Sequence, residues 1–309
     1  MRRRPTLACL AGAGTAPELM AEAVVALSAV ARLHAFAFDD VHAPFGATAT
    51  ARSGQRFPPA TRAAVLAADA VLLAGADEPA LADVMAELDL RARVTRVRFG
   101  RANDLAVVSP LAGSGAEWSL EAAFELAERR RLALAVVGDA DWEELAHHAA
   151  AVHEDVRVEF LSPKVAVPLA AFDAHRFDVV AVSMRWAEPL VEIVAAAAPA
   201  RVTAHALLAE HGPALFTPAP EGGFALAGQG VVNPSSMLLA AALALEHGLG
   251  EPGAAVTLAD AVSAALVDGP RTPDLLRRGR GPSTRDFTKR VLSGFQLSLR
   301  NAEFHAGRA

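Results

Sequence analysis

The chain has 309 residues, 53% of them hydrophobic and 21% charged, which is ample material for buried cores and excludes a disordered polymer. A formal net charge of −6 without any basic run argues against nucleic acid as a partner, and no apolar run reaches membrane-spanning length. The one cysteine, Cys9, excludes an internal disulfide framework and a cysteine-based zinc site, and fits a reducing, cytoplasmic setting.

Arg2-Arg3-Arg4 ahead of a short apolar run has the outline of an export signal, but Thr6 to Leu10 reads better as a first strand. The loop LAGAGTAPELM follows, then a helix through Ala31. His34 to Phe38 reads as a second strand, Thr61 to Ala67 as a helix and Ala70 to Ala74 as a buried parallel strand. Strand, helix, strand at this spacing means α/β. Leu81 to Leu90 is helical. In DLRARVTRVRF, strand alternation puts Arg91 and Arg93 on one face and Arg96 and Arg98 on the other, as on an exposed charged edge or in an anion clamp.

Ser119 caps a helix running to Arg130, Leu132 to Val137 is a strand, and the next helix carries His147-His148. Neighbours on a helix diverge by about 100°, so those histidines cannot chelate one ion and belong on the surface. Glu188 and Glu192 stand four apart and share a helix face. The stretch Leu215 to Gly250 runs from a glycine-rich, nearly charge-free loop into Asn233-Pro234, which marks the start of a long apolar helix stopped by Gly248. Such a loop either seats a phosphate or carboxylate or simply turns a corner. Ser283-Thr284 caps a final helix, Arg285 to Phe295.

Phe216, Pro218, Ala227, Gly228, Gly230, Asn233, Pro234, Glu246 and Gly250 keep a pattern that resembles the isocitrate/3-isopropylmalate dehydrogenase family of NAD(P)-linked β-decarboxylating dehydrogenases. Further matches are Leu10, Gly12, Gly14, Pro17 and Glu18 in the first turn, Gly54, Phe57, Pro58, Thr61 and Ala68 to Gly75, Phe177 to Val180, and Arg271 to Leu275. The resemblance implies a two-domain α/β fold with parallel or mixed sheets flanked by helices and a ligand cleft between the domains. It implies a large domain of residues 1–98 plus 207–309 and a second domain, 99–206, with the dimer-type helices. A homodimer, or a heteromer with an active family member, follows from it.

The departures from the family concern chemistry. The chain has no tyrosine and two lysines, Lys164 and Lys289, and Asp139 stands where the family carries its catalytic lysine. The family's three substrate arginines fall at Met85, Thr95 and Ser109. Lys164 takes the place of one metal aspartate, Glu188 and Glu192 of the other two, and Met184 of the intervening asparagine. At about 4 Å and an effective dielectric of about 20, an ammonium repels a cation by roughly 4 kcal/mol per unit charge, so Mg²⁺ is not expected. Lys164, Glu188 and Glu192 are the candidate catalytic residues, Lys164 pairing with a glutamate in the ion's place. The two glutamates become metal ligands only if a cation still binds.

For NAD(P) the candidates are Gly12, Gly14, Glu221, Gly228 and Asn233, while Pro220 and Ala225 stand where the family has its adenine-packing histidine and ribose-binding aspartate. Two functions are compatible with this pattern. One is a repurposed oxidoreductase-type enzyme for a small carboxylated metabolite, with standard magnesium-dependent oxidative decarboxylation lost. The other is a catalytically silent binding or partner subunit, a pseudoenzyme keeping only the fold. Neither needs nucleic acid or a membrane.

Overall fold

A computed structural model describes residues 3–75, 78–101, 103–113, 115–197, 201–219, 224–276 and 279–306. The chain divides into two compact units, Met1–Leu88 with Gly212–Ala309, and Asp89–His211. The sequence reading put these limits at 98/99 and 206/207. They move because the strand Leu90–Phe99 is hydrogen-bonded on both edges to strands of the second unit. Among the described residues no helix is long and apolar enough to cross a membrane.

The first unit begins with β1 (Thr6–Ala11), α1 (Ala16–Leu33), β2 (Asp39–Pro44), α2 (Gly46–Ser53), α3 (Pro59–Ala67), β3 (Ala70–Ala74) and α4 (Glu78–Glu87). After the second unit it resumes with β10 (Ala214–Pro218), α9 (Ser235–Leu243), α10 (Pro252–Asp268) and α11 (Thr284–Ala306). Its sheet runs β2-β1-β3-β10, with every pair parallel. A parallel sheet covered on both faces requires unbroken apolar runs, and β3, AVLLA, is buried at every position. On α1, Leu19, Met20, Ala23, Ala26, Leu27 and Val30 recur at helical spacing and are buried. Helix α9 is buried all round, as its charge-free sequence requires.

The expected strand at His34 to Phe38 is displaced to β2, Asp39–Pro44. His34 and Phe36 donate to Val30 O and Ala31 O, and Ala35 takes a left-handed φ of 57°, so this segment closes the helix instead. Aspartates and a histidine tolerate β2's exposed outer position, which hid it from an apolar search. The stop after α9 also differs. The helix widens into a π-turn, Ala244–Gly248, and a Cβ at Gly248 would lie 2.6 Å from Ala70 Cβ. Glycine there permits a close approach to β3, and the left-handed turn (φ 71°) falls at Gly250.

The second unit holds β4 (Leu90–Phe99), β5 (Asn103–Pro110), α5 (Ala116–Glu128), β6 (Ala133–Val137), α6 (Ala140–Ala150), β7 (Arg157–Leu161), α7 (Pro163–Phe172), β8 (Val179–Val182), α8 (Met184–Ala197) and β9 (Val202–Ala209). Its sheet runs β9-β4-β5-β8-β6-β7. Strand β4 is antiparallel to both neighbours, and the rest of the sheet from β5 onward is parallel. Val97, Leu105, Val107, Val180 and Val182 pack with Ala166 and Ala170 of α7 and Ala187, Leu190 and Val194 of α8. Helix α5 starts at Ala116, with Gly115 before it, so Ser119 is no cap. Its hydroxyl donates to Ala116 O at 2.7 Å inside the first turn.

Candidate functional site

In the first unit, the turn after β1 and the loop before α9 are built for close backbone approach. Gly12 N–H donates to Ala74 O at 2.9 Å, its carbonyl accepts from Thr48 Oγ1 at 3.2 Å, and a Cβ on it would fall 1.9 Å from Gly75 O. Gly12 therefore joins the ends of β1 and β3, and its backbone groups are already engaged. Gly14, Gly228 and Gly230 have φ of 70°, 72° and 64°, and around the last two a Cβ would meet nothing within 4 Å. Backbone conformation, not crowding, demands glycine there, and the loop surface stays open.

Glu18 Oε2 accepts from Gly230 N at 3.2 Å, while its Oε1 is buried without a partner among the described residues. Asn233 is only 3% exposed. Its Oδ1 accepts from Ser235 N at 2.9 Å, its Nδ2 donates to Thr272 Oγ1 at 3.0 Å, and its N–H donates to Asp274 Oδ2 at 2.8 Å. The side chain thus keeps its helix-capping role and also ties the loop to the segment before α11. Glu221 lies outside the described residues.

In the second unit, Lys164 is in the first turn of α7, and Glu188 and Glu192 are one turn apart on α8. All three are exposed, and none has an ion pair within this chain among the described residues. The expected pair between Lys164 and a glutamate does not form inside one chain, because Lys164 begins its helix on an exposed face. No group of three His, Cys, Asp or Glu among the described residues could hold a metal ion. His147 and His148 are exposed; His147 stacks on Phe160 with ring centroids 4.1 Å apart, and His148 Nδ1 lies 2.9 Å from Glu144 O.

The arginines of β4 overturn the exposed-edge reading. Strand β4 is interior, and Arg96 and Arg98 are 7% and 4% exposed. Arg96 Nε donates to Asp104 Oδ1 at 2.6 Å, and Arg98 and Arg130 stand 3.7 and 3.6 Å from Asp104 Oδ2. Arg130 also donates to Asp178 Oδ1 at 2.6 Å. Burial raises the Asp104 carboxyl, but the hydrogen bond from Arg96 and the charges of Arg96, Arg130 and Arg98 outweigh it and bring it down to about 2. This network joins β4 and β5 to Arg130 in the turn after α5 and to Asp178 just before β8, at the amino ends of the parallel strands, so it holds the unit together.

The opposite end of the same sheet carries a residue that sequence reading missed, His205. Thr95 Oγ1 lies 3.1 Å from His205 Nδ1 on β9, across a directly opposed pair. Burial, and then the charge of Arg93, hold the His205 imidazole down to about 4, so it is neutral at pH 7. Arg93 faces Ser109 on β5 and Leu207 on β9. The available signal was His205 itself, a polar residue inside the apolar run VTAHALLA.

Residues 200–291 match a family model described as isocitrate/isopropylmalate dehydrogenase. The chain is 28% identical over 332 residues to a 3-isopropylmalate dehydrogenase of Synechococcus sp. (strain CC9605), an alignment covering 87% of this chain and 93% of that one. It is 27% identical over 342 residues to a 3-isopropylmalate dehydrogenase of Bacillus thuringiensis subsp. konkukian (strain 97-27), covering 93% and 95%. The fold matches the apo form of a β-decarboxylating dehydrogenase from Thermococcus kodakarensis with a TM-score of 0.83 at 19% identity, covering 97% and 98%. It matches an isocitrate dehydrogenase from Methylococcus capsulatus with a TM-score of 0.78 at 20% identity, covering 94% and 99%.

Proposed function

We propose that this chain, which belongs to the isocitrate/isopropylmalate dehydrogenase family as a distant member, is a repurposed oxidoreductase-type enzyme for a small carboxylated metabolite. In this reading it no longer runs magnesium-dependent oxidative decarboxylation. The family typically uses NAD(P) and a divalent metal, and its members are dimeric enzymes that bind carboxylated substrates. The observation that carries the reading is the charge at the position the resemblance assigns to a metal aspartate. Lys164 stands there, exposed and without an ion pair in its own chain among the described residues. An ammonium in that place opposes a divalent ion, so the residues do not fit the metal.

The nicotinamide side fits better. A Cβ at Gly228 would meet nothing within 4 Å, so the loop there offers surface to a dinucleotide, which when bound supplies a hydride acceptor. Asn233, whose side-chain oxygen and nitrogen are both engaged within the protein, shapes the loop. Polar side chains toward an acid substrate come from β4 and β5, where Arg93 lies opposite Ser109 and two residues from Thr95. Lys164, Glu188 and Glu192 remain candidates for moving protons, in a site completed by a second copy.

A specific feature favours a second reading, the silent partner subunit. Helices α7 and α8 expose Val165, Phe172 and Met184, with Phe172 91% exposed. Apolar side chains in that number on two packed helices suit coverage by another chain. Thermal-shift measurements with NAD, NADP, Mg²⁺, Mn²⁺ and a panel of 2-hydroxy acids separate the readings. The enzyme reading expects a rise with a nicotinamide cofactor and an acid, and none with metal alone. No response to any of them, together with co-purification of a second family member, establishes the partner subunit instead.

A further inference from the structure

A cavity of about 520 Å³ opens in the first unit between the loop that joins α2 to α3 and one side of α4. That volume is within the range of small-molecule sites, about 300–1,000 Å³. One wall carries Arg56 in the loop and Arg62 on α3, and the other carries Asp83 and Glu87 on α4. The charges pair across the gap. Arg56 Nε lies 2.5 Å from Asp83 Oδ2, and Arg62 Nε lies 3.0 Å from Glu87 Oε2. Phe57 and Ala86 give the lining its apolar part.

The walls are held by the fold itself. Gly54 N donates to Thr50 O at 2.8 Å in a left-handed turn (φ 74°), and Gly46 N donates to Arg56 O at 2.8 Å, which anchors the loop at both ends. Phe57 packs edge-on against the fully buried Phe45, with ring centroids 5.9 Å apart, and the Arg62 guanidinium lies 5.8 Å from the Phe57 centroid. Asp83 and Glu87 are four residues apart and share one side of α4. Met85, where the resemblance places one of the family's substrate arginines, lies about 160° round the helix from each of them. The cavity is therefore on the side of α4 turned away from that position.

Opposite charges in equal number disfavour a simple anion or cation, since either would meet as much repulsion as attraction. A zwitterion answers both walls. The ion pairs are solvent-exposed and add little to stability, so a ligand exchanges them at small cost. We propose that this cavity binds an α-amino acid with a large apolar side chain. Its carboxylate lies on the guanidinium forks of Arg56 and Arg62, its ammonium between Asp83 and Glu87, and its side chain against Phe57 and Ala86.

The test is calorimetric titration of the full chain with L-phenylalanine, with phenylpropanoate, which lacks the ammonium, and with phenylethylamine, which lacks the carboxylate. L-Phenylalanine is expected to bind at least about tenfold tighter than either. Arg62→Gln should weaken it at least about tenfold. Glu87→Gln should do the same and also narrow the preference over phenylpropanoate, which a merely structural role of the pair would not do. Ala86→Trp fills the cavity from an exposed helix position and should abolish binding with the melting temperature nearly unchanged. It keeps the test valid if a charge variant fails to fold. The proposal is overturned if the unmodified chain gives no heat with L-phenylalanine at millimolar concentrations, if phenylpropanoate binds equally well, or if Ala86→Trp binds as the unmodified chain does. No binding by the unmodified chain, with lower melting temperatures in Arg62→Gln and Glu87→Gln, would reduce the ion pairs to braces between α3 and α4.

Discussion

Replacing Asp104 by asparagine tests whether the buried network of the second unit contributes stability. Asp104 is 14% exposed at its side chain and faces Arg96, Arg98 and Arg130. Lowering its carboxyl from 3.8 to about 2 corresponds to ~2.4 kcal/mol at about 1.36 kcal/mol per unit of pKa. The substitution also leaves guanidiniums short of a counter-charge, which in buried pairs brings the loss to about 3–5 kcal/mol. We expect Asp104→Asn to destabilise the second unit by about 3 kcal/mol near neutral pH. The tryptophans, Trp118, Trp142 and Trp186, all lie in that unit, so their fluorescence during urea unfolding reports it selectively. With a urea dependence of ~1–3 kcal/mol per molar, the midpoint falls by about 1 M or more. The folded value lies below the unfolded one, so this contribution is complete above about pH 4 and fades as pH falls toward 2. The gap between variant and parent should narrow over that window. A loss under about 0.5 kcal/mol, or a gap indifferent to acid, refutes the reasoning.

His153 lies between Glu128 and Glu121, at 2.7 and 2.9 Å, and stacks on Phe124 with centroids 5.0 Å apart. Burial pulls its imidazole down, but the two carboxylates outweigh that and hold it above its ordinary value. Its contribution is then full below about pH 6.5 and is lost as pH rises through the raised folded value, so His153→Gln should flatten the melting temperature from about pH 6 upward. A parent and variant with parallel pH profiles would contradict this. Gly12→Ala drives a Cβ to within 1.9 Å of a backbone oxygen, and a loss of at least ~1–3 kcal/mol in thermal or urea unfolding should follow. If Lys164 holds the place of a metal aspartate, as proposed, Lys164→Asp should create a Mg²⁺-dependent rise in melting temperature. The same rise in the unmodified chain would remove the charge argument.

Much of the fold was legible because parallel strands and amphipathic helices write their burial into short windows. Ala70–Ala74 is an unbroken apolar run because both faces of β3 are covered. The resemblance rested on glycines whose backbone roles survive, such as Gly12 against Gly75. Strand β2 was placed early because an outer strand with exposed aspartates carries no apolar signal. The loop before α9 likewise announced Asn233 as a cap, and its bonds to Thr272 and Ser235 extend that role.

The sequence by itself determined the α/β class, the family likeness and the residue types standing at each inherited position. Only the tertiary structure decided what each charge meets. Arg91, Arg93, Arg96 and Arg98 look equivalent along the chain, yet Asp104 and Glu210 answer three of them and leave Arg93 alone. Thr95 likewise acquires His205 across a pairing of strands far apart in sequence. Local periodicity fixes which face a side chain takes, whereas ion pairing depends on which strands adjoin, and that is settled by the whole sheet.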